Sequence, residues 1–199
     1  MSIPQIPIPK TPRLFDKAFI AFNTNLVVQL PWLAHAFSEA QIMTKKGSSG
    51  TIIYPSVFAG KNVKGEYKNV LPNEFLGQDR GLSGFSFFDC VQNISYISPN
   101  PRVKGMIDGD MGLIFWFNVN KVLGDADEFR NWDKIIYDIL QAIKKSSKGF
   151  KGEIVVTGWT KKAEEIYSGY SIRETDHPFL MHPYGGVRFN CRVRIHEDC

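Results

Sequence analysis

At 199 residues, 43% hydrophobic, 13% aromatic and 22% charged, the chain has a globular composition. It is long enough to bury roughly 70% of the surface that its unfolded form exposes. The net charge of +4 is dispersed, with nine basic and six acidic residues in 1–100 and fifteen and fourteen in 101–199, so a dedicated nucleic-acid binder is not expected.

The opening "MSIPQIPIPK" carries Pro4, Pro7 and Pro9, with Pro12 just beyond. Each proline fixes φ and removes an N–H, so residues 1–13 are expected to form an extended arm. Ile3, Ile6 and Ile8 are costly to leave wet, and the expectation is that they dock on a neighbouring subunit. The stretch lacks the basic and continuous apolar regions of a signal peptide.

From Arg13 the spacing turns helical: Phe15, Phe19, Phe22, Leu26 and Leu30 step by four, three, four and four. Asp16, Lys17, Asn23, Asn25 and Gln29 interrupt this stretch, so no membrane span is expected. Pro31 should end the helix, and "PWLAHAFSEAQIM" reads as a second helical piece. After the basic loop "TKKGSSG", the segment "TIIYPSVFAG" reads as extended, at an edge or bent by Pro55.

Residues 60–84 are rich in glycine and read as a long loop region. "FSFFDCVQNISYI" looks extended, and "DGD" (108–110) reads as a turn. In "MGLIFWFNVNKV", Leu113, Phe115 and Phe117 oppose Ile114 and Trp116, which predicts a central strand covered on both faces.

"DADEFRNWDKIIYDILQAIKKSSKG" gives the clearest helix. Asp125 with Glu128 resembles a capping box, and Phe129, Trp132, Ile135, Ile136, Ile139, Leu140 and Ile143 share one face. "EIVVTGW" reads as a strand and "KKAEEIYSGYSIRETD" as a polar link. A Pro- and Gly-marked corner then leads into a last strand in which Val187, Phe189, Cys191, Val193 and Ile195 alternate with Arg188, Asn190, Arg192 and Arg194.

This order predicts an α+β fold: a mostly antiparallel sheet with helices packed on one face, an extended Pro-rich N-terminal arm and long loops. The expected division is an arm over 1–13 and a single domain over 14–199.

Motifs for catalysis and cofactors are missing. No phosphate-binding glycine loop or nucleophile elbow occurs. The histidines His35, His177, His182 and His196 lack paired zinc spacing with cysteines. Cys90, Cys191 and Cys199 are odd in number and far apart, which argues against a disulfide framework and for a reducing compartment. The pairs Glu164/Glu165 and Asp108/Asp110 read as solvated charge in links. No cofactor, metal or catalytic residue is therefore expected.

Surface chemistry remains. Arg188, Arg192 and Arg194 share one sheet face and suit carboxylates of a partner. Tyr67, Phe75, Tyr167, Tyr170 and Tyr184 fall in loops and links, and tyrosine is enriched where proteins meet. The residues expected to bind partners are Ile3, Ile6, Ile8, Tyr184, Arg188, Arg192 and Arg194.

Several pieces in order are "LPWL", "YPSVFAG", "EYKNVLPNEFLG", "FSFFD", "GLIFWFNVN" before the long helix, and "IYSGYSIRETDHPFLMHPYGGVRFNCRVRI". This succession resembles small virion proteins of tailed bacteriophages infecting Bacteroidetes-type hosts, in the place of neck, ring or tail-completion (tail-terminator-like) proteins. The resemblance covers most of residues 14–195. It implies a ring-forming structural subunit of the virion that passes through the host cytoplasm during assembly. Copies of itself and neighbouring portal, neck and tail proteins would be its partners, with DNA passing through the lumen without sequence-specific binding. The alternative from another class is a nucleic-acid-binding accessory protein using "TKKGSSG", "KKSSKGFKG" and the arginine strand. A small enzyme with an unrecognised site is a third.

Overall fold

The computed structural model describes residues 6–8, 14–46, 50–61, 67–70, 83–90, 94–97, 105–123, 132–171 and 184–196. Helix α1 (Leu14–Gln29) leads into strands β1 (His35–Lys46), β2 (Thr51–Lys61), β3 (Tyr67–Val70), β4 (Gly84–Asp89), β5 (Ile94–Ile97) and β6 (Met106–Asn118). After these come α2 (Val119–Leu123), α3 (Trp132–Ser146) with a 3₁₀ turn at Ser147–Gly149, β7 (Gly152–Thr160), α4 (Ala163–Ile166) and β8 (Tyr184–His196).

The strands form one sheet in the order β3-β2-β1-β4-β6-β8-β7, with β5 also paired to β6. Among the described residues every pairing is antiparallel except β1 with β4. The fold is α+β, as the element order predicts. Among the described residues no helix is long and apolar enough to cross a membrane.

The two longer helices cover one face. Phe19 and Phe22 of α1 meet Phe88 of β4, Phe19 stacked on it with centroids 3.8 Å apart. Ile135, Ile136, Ile139 and Ile143 of α3 are buried in the same core with Leu113, Phe115 and Phe117 of β6. Val187, Phe189, Cys191, Val193 and Ile195 of β8 complete it. The predicted apolar stripe of α3 is thus its packed face, while its expected Asp125–Glu128 cap and Phe129 lie outside the described residues. The Asn23 amide donates to the Phe37 carbonyl at 3.0 Å, fixing α1 against β1.

The opposite face carries a second core. Phe37, Phe85, Phe87, Ile114 and Trp116 are covered by Ile166, Tyr167 and Tyr170 from α4 and the turn after it. This accounts for the apolar residues on both sides of β6, and it places one short helix on the face away from α1 and α3.

Four local expectations are corrected. Residues 31–43 are not helical: a turn at Pro31–Trp32 leads into β1, where Ala36 enters the helix-side core and Phe37 the other. Pairing on both edges overrides the helix propensity of Ala and Glu. "DGD" lies inside β6, because Asp108 and Asp110 stand opposite Arg194 and Arg192 on β8. β8 begins at Tyr184, and Gly185 and Gly186 belong to it. Trp132 lies against Gly185 and Trp116 against Gly186, so only glycine fits there. Within the 60–84 region β3 is ordered as a strand, with residues 62–66 and 71–82 outside the described set.

Ile139 has no exposed surface, whereas Tyr137 on the outer side of α3 is largely exposed. Ile139→Ala should cost about 2–5 kcal/mol and Tyr137→Ala about 0.5 kcal/mol or less, read from urea unfolding midpoints.

Candidate functional site on the arginine face of the sheet

Alternation along β8 places Arg188, Asn190, Arg192 and Arg194 on the face away from the long helices. The three arginines meet two different environments. Arg188 is buried, its side chain about 5% exposed, beside an Asp89 side chain with no exposed surface. Arg192 and Arg194 are 54% and 42% exposed.

Arg188 reaches Asp89 across an intervening strand. β8 and β4 both pair with β6, and Gly112 of β6 stands beside Asp89 on one side and Asn190 on the other. A Cβ at Gly112 would lie 2.5 Å from the Arg188 guanidinium carbon, so the guanidinium rests on bare backbone. Its Nη1 donates to Asp89 Oδ2 at 2.5 Å and to the Ile166 carbonyl at 3.2 Å, and Nε donates to Asn190 Oδ1 at 3.2 Å. The Tyr170 hydroxyl donates to Asp89 Oδ1 at 2.9 Å. Burial, reinforced by the neighbouring Asp89 carboxylate, holds the Tyr170 hydroxyl well above the usual phenol range.

Farther along, Asp108 accepts both exposed arginines. Arg192 grips it bidentately, Nε at 2.9 Å and Nη2 at 3.0 Å, and Arg194 Nε donates at 3.2 Å. Arg194 also donates to Glu153 of β7 at 3.1 Å. The Arg192 hydrogen bond is the largest influence on Asp108, holding its carboxyl below the ordinary 3.8; burial opposes the shift and Arg194 adds to it.

The arginines therefore face carboxylates of their own chain. Burial takes Arg188 out of a partner's reach, against the expectation of an open cationic face. Tyr167 and Tyr170, read as loop aromatics, are buried in the second core, and Tyr184 is half-buried against it. Ile6 packs on the helix-side core of its own chain, with Pro7 beside Gly60, while Ile8 is exposed. Ile3 and Phe75 lie outside the described residues, and so does the side chain of Tyr67.

A cavity of about 270 Å³ opens beside this charge cluster, lined by Ser95, Ile97, Asp108, Gly109, Asp110 and Arg192. Another, of about 200 Å³, lies between the end of α1 and α3, beside Trp32 and Gln141. Among the described residues no group of three or more His, Cys, Asp or Glu could hold a metal ion. Burial pushes the Cys191 thiol up to about 12, so at neutral pH it is a thiol inside the core and a poor nucleophile.

Sequence reading missed the forked end of the sheet. β1 and β4 pair only as far as Ala40–Asp89; beyond that point β1 continues with β2 alone, and β6 takes β5. Both prongs expose large apolar side chains: Ile42 and Met43 on β1, and Ile94, Tyr96 and Ile97 on β5. The sequence signals were "QIMTKK" and "ISYI", each too short to show that its neighbour stops pairing.

Compared with known proteins, the chain matches no protein-family model and no curated protein.

Two outcomes follow for the charge cluster. Asp89→Asn leaves a buried guanidinium without its carboxylate and should cost about 3–5 kcal/mol, against about 1 kcal/mol for Tyr170→Phe, both measured by denaturant unfolding. Asp108 has a folded value below its unfolded one, so its contribution is present above the ordinary 3.8 and is lost as pH falls through the lower folded value. The stability advantage of wild type over Asp108→Asn should be full at neutral pH and shrink below about pH 4 in an acid titration.

Proposed function

We propose that this chain is a structural assembly subunit: a ring-forming component of the neck, head-to-tail connector or tail-completion (tail-terminator) complex of a tailed phage virion. The observation that carries this reading is the forked sheet end. Five large apolar side chains stand exposed there on two strands that do not pair with each other. Open strand edges bearing apolar side chains are templates for pairing with another chain.

The assembly reading also fits the arginine face. Arg188, Arg192 and Arg194 are satisfied by Asp89, Asp108 and Glu153, which leaves them poor candidates for phosphate contacts and weighs against the nucleic-acid-binding alternative. A ring needs two different adhesive surfaces on each copy, because head-to-tail contacts are heterologous. The β1–β2 prong and the β5–β6 prong differ in sequence and in charge, as such a contact requires. The place of that ring at the neck or tail rests on the resemblance in the sequence.

The test is assembly. Light scattering and negative-stain images of the purified protein should show closed rings, or rings that form once phage heads or tails are added. A chain that stays monomeric at every concentration and never co-sediments with heads or tails would reject the proposal.

A further inference from the structure

Two surfaces at the forked end are complementary. The first is the tip of the β1–β2 hairpin. Lys45 and Lys46 are exposed there, beside Ile42 and Met43. The Lys45 ammonium lies 5.8 Å from the Tyr54 ring, and neither lysine forms an ion pair with a described residue.

The second is the 270 Å³ cavity on the other prong, whose wall carries two carboxylates. They are not equivalent. Asp108 is held by two arginines, whereas the side chain of Asp110 is exposed and forms no hydrogen bond with a described residue, although it stands opposite Arg192. Among the described residues, Asp108, Asp110 and Glu153 against Arg192 and Arg194 leave one negative charge in excess. Two apolar side chains are near: Ile97 lines the cavity, and Val155 stands opposite Arg192 on β7, both partly exposed.

We propose that the Lys45–Lys46 tip of one copy docks into the Asp110 cavity of a second copy, with Ile42, on the same strand face as Lys46, against Ile97 and Val155. This rests on the ring reading and names its head-to-tail contact. A lysine suits such a cavity because its ammonium is a compact charge with three donors on a flexible stem. The tip and the cavity are different surfaces, so repeating the contact propagates a heterologous chain of copies that closes when the rotation divides a full circle. Exposed ion pairs contribute little singly, so the apolar pairs supply the adhesion and the charges fix which surface is chosen.

Charge reversal tests it. In about 0.1 M salt, where screening extends over about 10 Å, Lys45→Glu with Lys46→Glu should weaken assembly by about tenfold or more, and so should Asp110→Lys. Placing all three changes in one chain should restore it. Asp110→Asn provides a milder variant, and circular dichroism checks that each variant folds. In a mixture of isotopically labelled and unlabelled wild type, a carbodiimide should join Lys45 or Lys46 of one copy to Asp110 of another. Wild-type rings whose assembly survives both reversals, or a cross-link confined to single copies, would overturn the docking and leave the ring reading standing. A wild-type chain that forms no assembly even beside heads and tails would overturn both.

Discussion

The ion pair between Asp89 and Arg188 joins two strands that do not pair with each other in the sheet. Burying two charges costs several kcal/mol for each, and the cost is offset only when geometry is good and the remaining donors and acceptors are satisfied. Here Arg188 also reaches the Ile166 carbonyl and Asn190, while Asp89 also takes the Tyr170 hydroxyl. The crossing depends on Gly112, whose lack of a side chain lets the guanidinium lie on the strand between. A one-residue slip of β8 would turn Arg188 into the helix-side core, so the pair specifies register as well as strand order. It also anchors the α4 segment, whose Ile166, Tyr167 and Tyr170 keep Phe85, Phe87, Ile114 and Trp116 from water. Ser171 extends that anchor, exchanging hydrogen bonds of 2.7 and 3.0 Å with the Ile53 backbone of β2.

From that pair outward, β8 passes from a buried to a wet environment without any change in its alternation. Arg188 is enclosed by the second core, Arg192 and Arg194 lie in solvent over Asp108, and Glu153 closes the row at β7. Each exposed pair adds little to stability alone. Together they tie β6, β8 and β7 on the face away from the two long helices, and they consume the cationic character that an arginine strand advertises. The net positive charge is left to lysines elsewhere, among them Lys45 and Lys46 at the hairpin tip.

Much of the fold was legible because periodicity reports burial. The 3.6-residue spacing of Ile135, Ile136, Ile139 and Ile143 and the two-sided apolar run of β6 both reflect covered surfaces. What periodicity does not report is the partner. The alternation of β8 shows that its arginines share a face, but the carboxylates that satisfy them stand 84 to 99 positions away for Asp108 and Asp89. Residues 31–43 misled for a related reason: "AHAFSEA" has good helix formers, and only the pairing with β2 and β4 makes them strand. Gly185 and Gly186 looked like a corner because the indoles that demand bare backbone there come from Trp132 and Trp116. The fork was hidden altogether, since where two strands stop pairing is a property of the sheet and of neither segment.

The open ends of the sheet are protected unequally, and that difference bears on where the proposed association would begin. Natural proteins blunt exposed strands with lysine, bulges or charged side chains. β7 carries an irregularity between Val156 and Gly158, and the β1 tip carries Lys45 and Lys46. β5, "ISYI", has neither a charge nor a proline, and all four of its residues are exposed. Its backbone pairs with β6 on one side, and among the described residues no strand pairs with the other. A monomer that leaves such a strand wet has a poorly protected edge directly beside the Asp110 cavity. In the proposed docking, contact would therefore nucleate on the β5 prong, with the lysine tip selecting which neighbour is admitted.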